Sequence, residues 1–66
     1  ELLDSGIETF AEAEIRLLLT ALRIFGGNRT HAAEALGVTA RTIRNKLRRY
    51  RKNNLIPNDL LKVLYG

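Results

Sequence analysis

Residues 40–52 of this 66-residue sequence read ARTIRNKLRRYRK and hold seven of its eleven lysines and arginines. Their chemistry is recognition. A guanidinium presents a planar fork of donors that matches anions and the edges of planar acceptors. Asn45 adds a donor and an acceptor on one amide. Elsewhere the sequence offers little for catalysis. It has no cysteine, so disulfides, thiolate metal sites and thiol nucleophiles are excluded. Its single histidine, His31, cannot build a zinc site of the usual kind. No phosphate-cradling loop or dinucleotide fingerprint appears. The acids are scattered, and catalysis needs converging groups. The expectation is a non-enzymatic chain with no metal, no cofactor and no small-molecule substrate.

The charge is segregated. Overall the chain is +4, but residues 1–27 hold five acids and two bases, a net of −3. Residues 28–52 hold eight bases and one acid, a net of +7, and residues 53–66 balance with Lys62 and Asp59. Such a block suits a polyanion, although a basic run can also be a solvated helix face. Bases at a helix C-terminus complement its dipole, which accounts for Arg48, Arg49, Arg51 and Lys52. Arg41 and Arg44 lie toward the opposite end, where positive charge is disfavoured, and need another reason.

The elements that position these groups are expected to be helices. A first helix spans 7–25, started by a capping box at Ser5 with Glu8 or at Thr9 with Glu12. Ile15, Leu18, Leu19 and Leu22 form one apolar stripe, and Leu17, Ala21 and Ile24 make the opposite edge apolar too. A helix apolar on more than one face needs more than one thing to pack on. The Ile15, Leu18, Leu19 and Leu22 stripe is assigned to a dimer interface. Gly26-Gly27 ends this helix. Asn28 caps a second helix, Arg29 to Leu36, whose alanines let a neighbour approach closely. Gly37 ends it, Val38 points inward, and Thr39 caps a third helix, Ala40 to Lys52. Ile43, Leu47 and Tyr50 give that helix a buried stripe, leaving Arg41, Arg44, Asn45 and Arg48 on another face. Asn53-Asn54 and Pro57 break the chain. Asn58 is expected to cap a short fourth helix, Asp59 to Leu64, of under two turns, which must dock to exist.

A chain of this length buries only about 60% of its unfolded surface. Its core rarely supplies more than about 3–5 kcal/mol, so close helix packing or a homodimer is expected. No run of about 18 apolar residues could span a membrane, and no membrane partner is expected. The acidic start does not read as a secretory signal, and a cytoplasmic location is expected. A first residue other than methionine suggests a piece of a longer protein.

The stretch from Gly27 to Leu47, GNRTHAAEALGVTARTIRNKL, has helix-turn-helix spacing. Ala33 is small where two helices touch, Gly37 permits the turn, and Leu36, Val38 and Ile43 fill the space beneath. The third helix then stands proud and fits a major groove. Double-stranded DNA is the expected partner.

These residues resemble a known family. Gly27-Asn28-x-Thr30, Ala32-Ala33, Leu36-Gly37-Val38 and Thr42-Ile43-x-x-Lys46-Leu47 look like the C-terminal Fis-type helix-turn-helix of bacterial sigma-54-dependent activators, the NtrC-like enhancer-binding proteins. The same residues are similar to the nucleoid protein Fis. NRTHAA with RTIRNKL resembles activators of flagellar genes. The resemblance covers Gly27 to Tyr50 well and does not cover Asn53 to Gly66. One all-α domain is expected over 1–66: a packing and dimerisation helix 7–25, a helix-turn-helix 28–52 and a short C-terminal segment 55–65. The resemblance implies dimerisation through helices ahead of the motif. It implies phosphate contacts by Asn28, Thr30, His31 and Thr42, to which Arg29, Thr39 and Arg48 are added. It places Arg44 and Asn45 toward the bases. Ala40 stands where the family commonly carries a base-reading arginine, which shifts that role to Arg41 and Arg44. Receiver and ATPase domains would lie upstream. The function expected is sequence-specific binding, as a dimer, to a palindromic site. A free-standing architectural DNA-binding protein and a helical protein-interaction module are the alternatives.

Overall fold

The computed structural model describes residues 7–66 and contains four helices: α1 (Phe10–Ile24), α2 (Arg29–Leu36), α3 (Ala40–Lys52) and α4 (Asn58–Tyr65). Of the two candidate capping boxes the one at Thr9 forms. The Glu12 amide donates to Thr9 Oγ1 at 3.1 Å and the Thr9 amide donates to Glu12 Oε1 at 2.9 Å. This places the helix start at Phe10, later than the expected Ile7; Ser5 lies outside the described residues. Phe25 closes α1, and Gly26 and Gly27 follow at φ +61° and +88°. Two successive positive φ values turn the chain sharply, a path only glycine takes without strain.

Asn28 Oδ1 accepts from the His31 amide at 3.0 Å and starts α2. Gly37, at φ +76°, ends it in the left-handed conformation, and the Val38 amide reaches back to the Ala33 carbonyl at 3.0 Å. Thr39 Oγ1 then accepts from the Thr42 amide at 3.2 Å and starts α3. The break after α3 passes through Asn54 at φ 57°, a conformation asparagine tolerates well. Pro57, not Asn58, occupies the cap of α4 and makes no side-chain cap bond; Asn58 is the first helical residue. Proline holds the extended geometry that feeds the helix without a hydrogen bond. α4 is therefore eight residues long, longer than expected, and still relies on docking.

All four helices contribute to one core. Leu22, Ala32 and Ile43 are fully buried, with Leu18, Leu19, Ala33, Leu47, Tyr50, Ile56, Leu60 and Leu64 nearly so. Two sequence expectations change here. Leu18, Leu19 and Leu22, assigned to a dimer face, are inside the single chain, and Ile15 packs half-buried against them. The short α2 and α4 cannot cover a core unaided, so α1 turns its densest leucine stripe toward them. Val38, expected inside, is 41% exposed. The inter-helix turn leaves Leu36 and Ile43 to fill the junction.

Two polar links lock α1 in place. Tyr50 Oη donates to Glu14 Oε1 at 2.8 Å, and Lys46 Nζ donates to Glu14 Oε2 at 3.1 Å. Arg23 donates to Asp59 of α4 through both terminal guanidinium nitrogens, Nη1 and Nη2. Those bonds hold the Asp59 carboxyl below its usual range and raise the Arg23 guanidinium.

Candidate nucleic-acid interface

The site is built on α3. Ile43, Leu47 and Tyr50 face the core, so helical periodicity turns Arg41, Asn45, Arg48 and Lys52 directly outward. All four are exposed. Arg44 and Arg51 flank this ridge on one side, and Thr42, Lys46 and Arg49 on the other.

The flanks differ in charge. On the Lys46 side, Glu14 of α1 takes up the ammonium and the Tyr50 hydroxyl. The Tyr50 and Lys46 bonds hold the Glu14 carboxyl below its usual range. Burial, and then the bond to Glu14, push the Tyr50 hydroxyl up to about 12. Tyr50 is therefore a neutral donor near neutral pH. On the other side there is no such compensation. Arg29, Arg44, Arg48, Arg51 and Tyr65 line an open cleft of about 450 Å³. Among the described residues no carboxylate lies within ion-pair distance of Arg29, Arg41, Arg44, Arg48, Arg51 or Lys52. The acids in and just before the first helix are spent on others: Glu12 on the helix cap, Glu8 on Arg16, and Glu14 on Lys46 and Tyr50.

The expected contact residues are placed as follows. Arg41, Arg44 and Asn45 are exposed along α3, and Arg48 continues their face. Arg29, at the start of α2, shares a cleft with Arg44 and Arg48. Thr30 and His31 are exposed in the first turn of α2, where the helix dipole favours an anion, although the His31 amide is already taken by Asn28 Oδ1. Asn28 spends its Oδ1 on capping α2, which leaves its amide group as a donor. The Thr39 and Thr42 hydroxyls bond each other at 3.0 Å at the start of α3. Sequence reasoning gave Arg51 only a dipole role and overlooked Tyr65. Arg51 was within reach, because it continues the Arg44 and Arg48 spacing by another turn. Tyr65 carried no local signal.

Among the described residues no three carboxylate or imidazole groups gather as metal ligands would, and no helix is long and apolar enough to cross a membrane.

Comparison with known proteins agrees with this geometry. Residues 9–50 match the family described as bacterial regulatory protein, Fis family. The chain is 52% identical over 42 residues to the transcriptional regulatory protein FlbD of Caulobacter vibrioides, an overlap of 64% of this chain and 9% of that protein. It is 44% identical over 46 residues to the transcriptional regulatory protein ZraR of Klebsiella oxytoca, covering 70% of this chain and 10% of the relative. The chain thus spans about a tenth of the length of these curated relatives. No solved structure matches it significantly. With an outward basic α3 set by a glycine turn against a small-residue α2, and with that match over most of its length, the chain belongs to the Fis family of bacterial regulatory proteins and carries its DNA-binding helix-turn-helix.

Proposed function

We propose that this chain is the DNA-binding domain of a sigma-54-dependent transcription activator and binds a two-fold DNA site as a homodimer in the cytoplasm. The observation that carries the reading is the ridge of Arg41, Asn45 and Arg48 with Arg44 beside it, exposed on a helix whose other face is anchored in the core. A helix held this way enters the major groove as a rigid body. Arg44 and Arg41 would pair with guanine, and Asn45 with adenine. Arg29, Arg48, Thr39, Thr42 and the first turn of α2 at Asn28, Thr30 and His31 would hold the phosphates that fix the register. The relatives bear the name of transcriptional regulatory proteins, and the short overlap with them leaves the activating machinery to other parts of a longer chain.

The dimer draws support from α1, though from residues other than the expected stripe. Phe10, Leu17 and Ile24 recur at seven-residue spacing and are 96%, 52% and 70% exposed. Ala13 and Thr20 lie between them, so a narrow seam of coiled-coil type runs along the helix. A second α1 would cover it.

Selection of bound sequences from a random duplex pool tests the reading. An enriched two-fold motif is the expected result, its half-sites about one helical turn apart. Retention of duplex without enrichment would instead make the chain an architectural DNA-binding protein.

A further inference from the structure

α4 lies beyond the residues that match the family, which end at position 50. Yet it reaches back to the DNA-binding face. Leu60 and Leu64 are buried in the core, and the backbone of Gly27 lies against Val63. This docking brings Tyr65 between two arginines of other helices. The Arg51 guanidinium sits 4.2 Å from the Tyr65 ring centroid and that of Arg29 sits 5.5 Å from it. Arg29 also donates to the Leu64 carbonyl at 3.3 Å. The aromatic face and the carbonyl hold the two cations without neutralising them. Arg44 and Arg48 complete the wall of the same cleft.

Four guanidiniums converging without a carboxylate repel one another, and an oxyanion between them would relieve that repulsion. The cleft is continuous with the ridge of α3, since Arg48 belongs to both and Arg44 flanks the ridge on the cleft side. An anion in it is therefore most directly supplied by the duplex that the ridge meets.

We propose that α4 completes a phosphate clamp: Arg29 and Arg51, oriented by Tyr65, take a DNA backbone phosphate beside the groove that α3 enters. The proposal rests on the DNA-binding reading. Arg29 and Arg51 contact the phosphate, and Tyr65 is a positioning residue whose ring restricts where the two guanidiniums point. Pre-set donors lose less freedom on binding. Because the phosphate is common to all sequences, the clamp adds affinity without base preference.

The test measures binding of the 66-residue chain to a labelled random-sequence duplex by fluorescence anisotropy, from about 50 mM to 200 mM salt. Each phosphate contact contributes about 0.9 to the slope of log affinity against log salt. Arg51→Gln is expected to lower that slope by about 0.9, so that its affinity falls about 3.5-fold less than wild type across the range. Tyr65→Leu should weaken binding while Tyr65→Phe, which keeps the ring, stays near wild type. Lys62→Gln, on α4 but outside the cleft, should keep the wild-type slope; circular dichroism verifies that each variant folds. An unchanged slope in Arg51→Gln, with wild-type binding intact, would overturn the clamp and leave the DNA-binding reading standing. Equal slope losses in Arg51→Gln and Lys62→Gln would also overturn it, reducing the effect to net charge. Arg51-dependent binding of inorganic phosphate that survives an excess of duplex would reassign the cleft to a free anion. A wild-type chain that binds no duplex would remove the DNA-binding reading and the clamp with it.

Discussion

Replacing Gly27 by alanine tests whether α4 is seated on the turn after α1. Two separate penalties are expected. The backbone there has φ +88°, and an L-residue held at positive φ costs about 1–2 kcal/mol. The new Cβ would also stand 2.9 Å from Val63 Cγ1, well inside carbon–carbon contact distance. Val63 is half-exposed and can yield, so overpacking adds only about 1 kcal/mol, the low end of its usual range. Gly26 is the internal control: its φ is +61° and nothing lies within 4 Å of a Cβ placed there. Gly26→Ala should therefore carry the backbone penalty alone, about 1–2 kcal/mol. In urea denaturation followed by circular dichroism, Gly27→Ala should be the less stable variant by about 1 kcal/mol. Adding Val63→Ala should recover that difference for Gly27→Ala and not for Gly26→Ala, a coupling that a double-mutant cycle isolates. Equal losses at the two glycines, or no recovery with Val63→Ala, would refute the seating of α4 on Gly27.

Leu22→Ala should destabilise the chain by roughly 2–5 kcal/mol, equally at all protein concentrations, because Leu22 is fully buried within one chain; a loss that shrinks at high concentration would return it to a dimer face. Leu17→Asp should leave the monomer folded and abolish self-association in sedimentation; unchanged self-association would exclude the α1 seam. Arg44→Ala should weaken binding to a selected site by roughly 1–3 kcal/mol and relax its base preference, whereas equal loss on every sequence would make Arg44 a phosphate contact. Tyr50 titrates at about 12 when folded against 10.0 ordinarily, so its contribution to stability is complete below pH 10.0 and lost as the pH rises toward about 12. Glu14, held below its ordinary 4.5, contributes above that pH and loses its contribution as the pH falls beneath it. Glu14→Gln should soften both limbs and lower the Tyr50 midpoint measured by ultraviolet absorbance; an unmoved midpoint would mean that burial alone raises it.

Much of this architecture was legible because its signals are local. A cap residue and the amide it accepts from are three positions apart, so Thr9 with Glu12, Asn28 and Thr39 mark three helix starts from spacing alone. Gly37 marks a helix end by the φ it must adopt. The buried stripe of α3 and the exposure of Arg41, Arg44, Asn45 and Arg48 follow together from one helical period. The periodicity of α1 is different, since it is apolar on more than one face, with Glu12, Arg16 and Arg23 confined to the remaining one. Periodicity could group its residues and could not choose which group turns inward. Packing chose: the core took Leu18, Leu19 and Leu22, and left Phe10, Leu17 and Ile24 outside. The same holds for Val38, whose side was decided by how tightly α2 and α3 close around Ile43. It holds most strongly for Tyr65. Its meeting with Arg29 and Arg51 joins residues far apart in the chain, and it depends on a glycine flat enough for α4 to lie across it. Short-range hydrogen bonds write themselves into neighbouring residues, whereas the choice among several apolar faces and the company of a distant side chain exist only once the helices have packed.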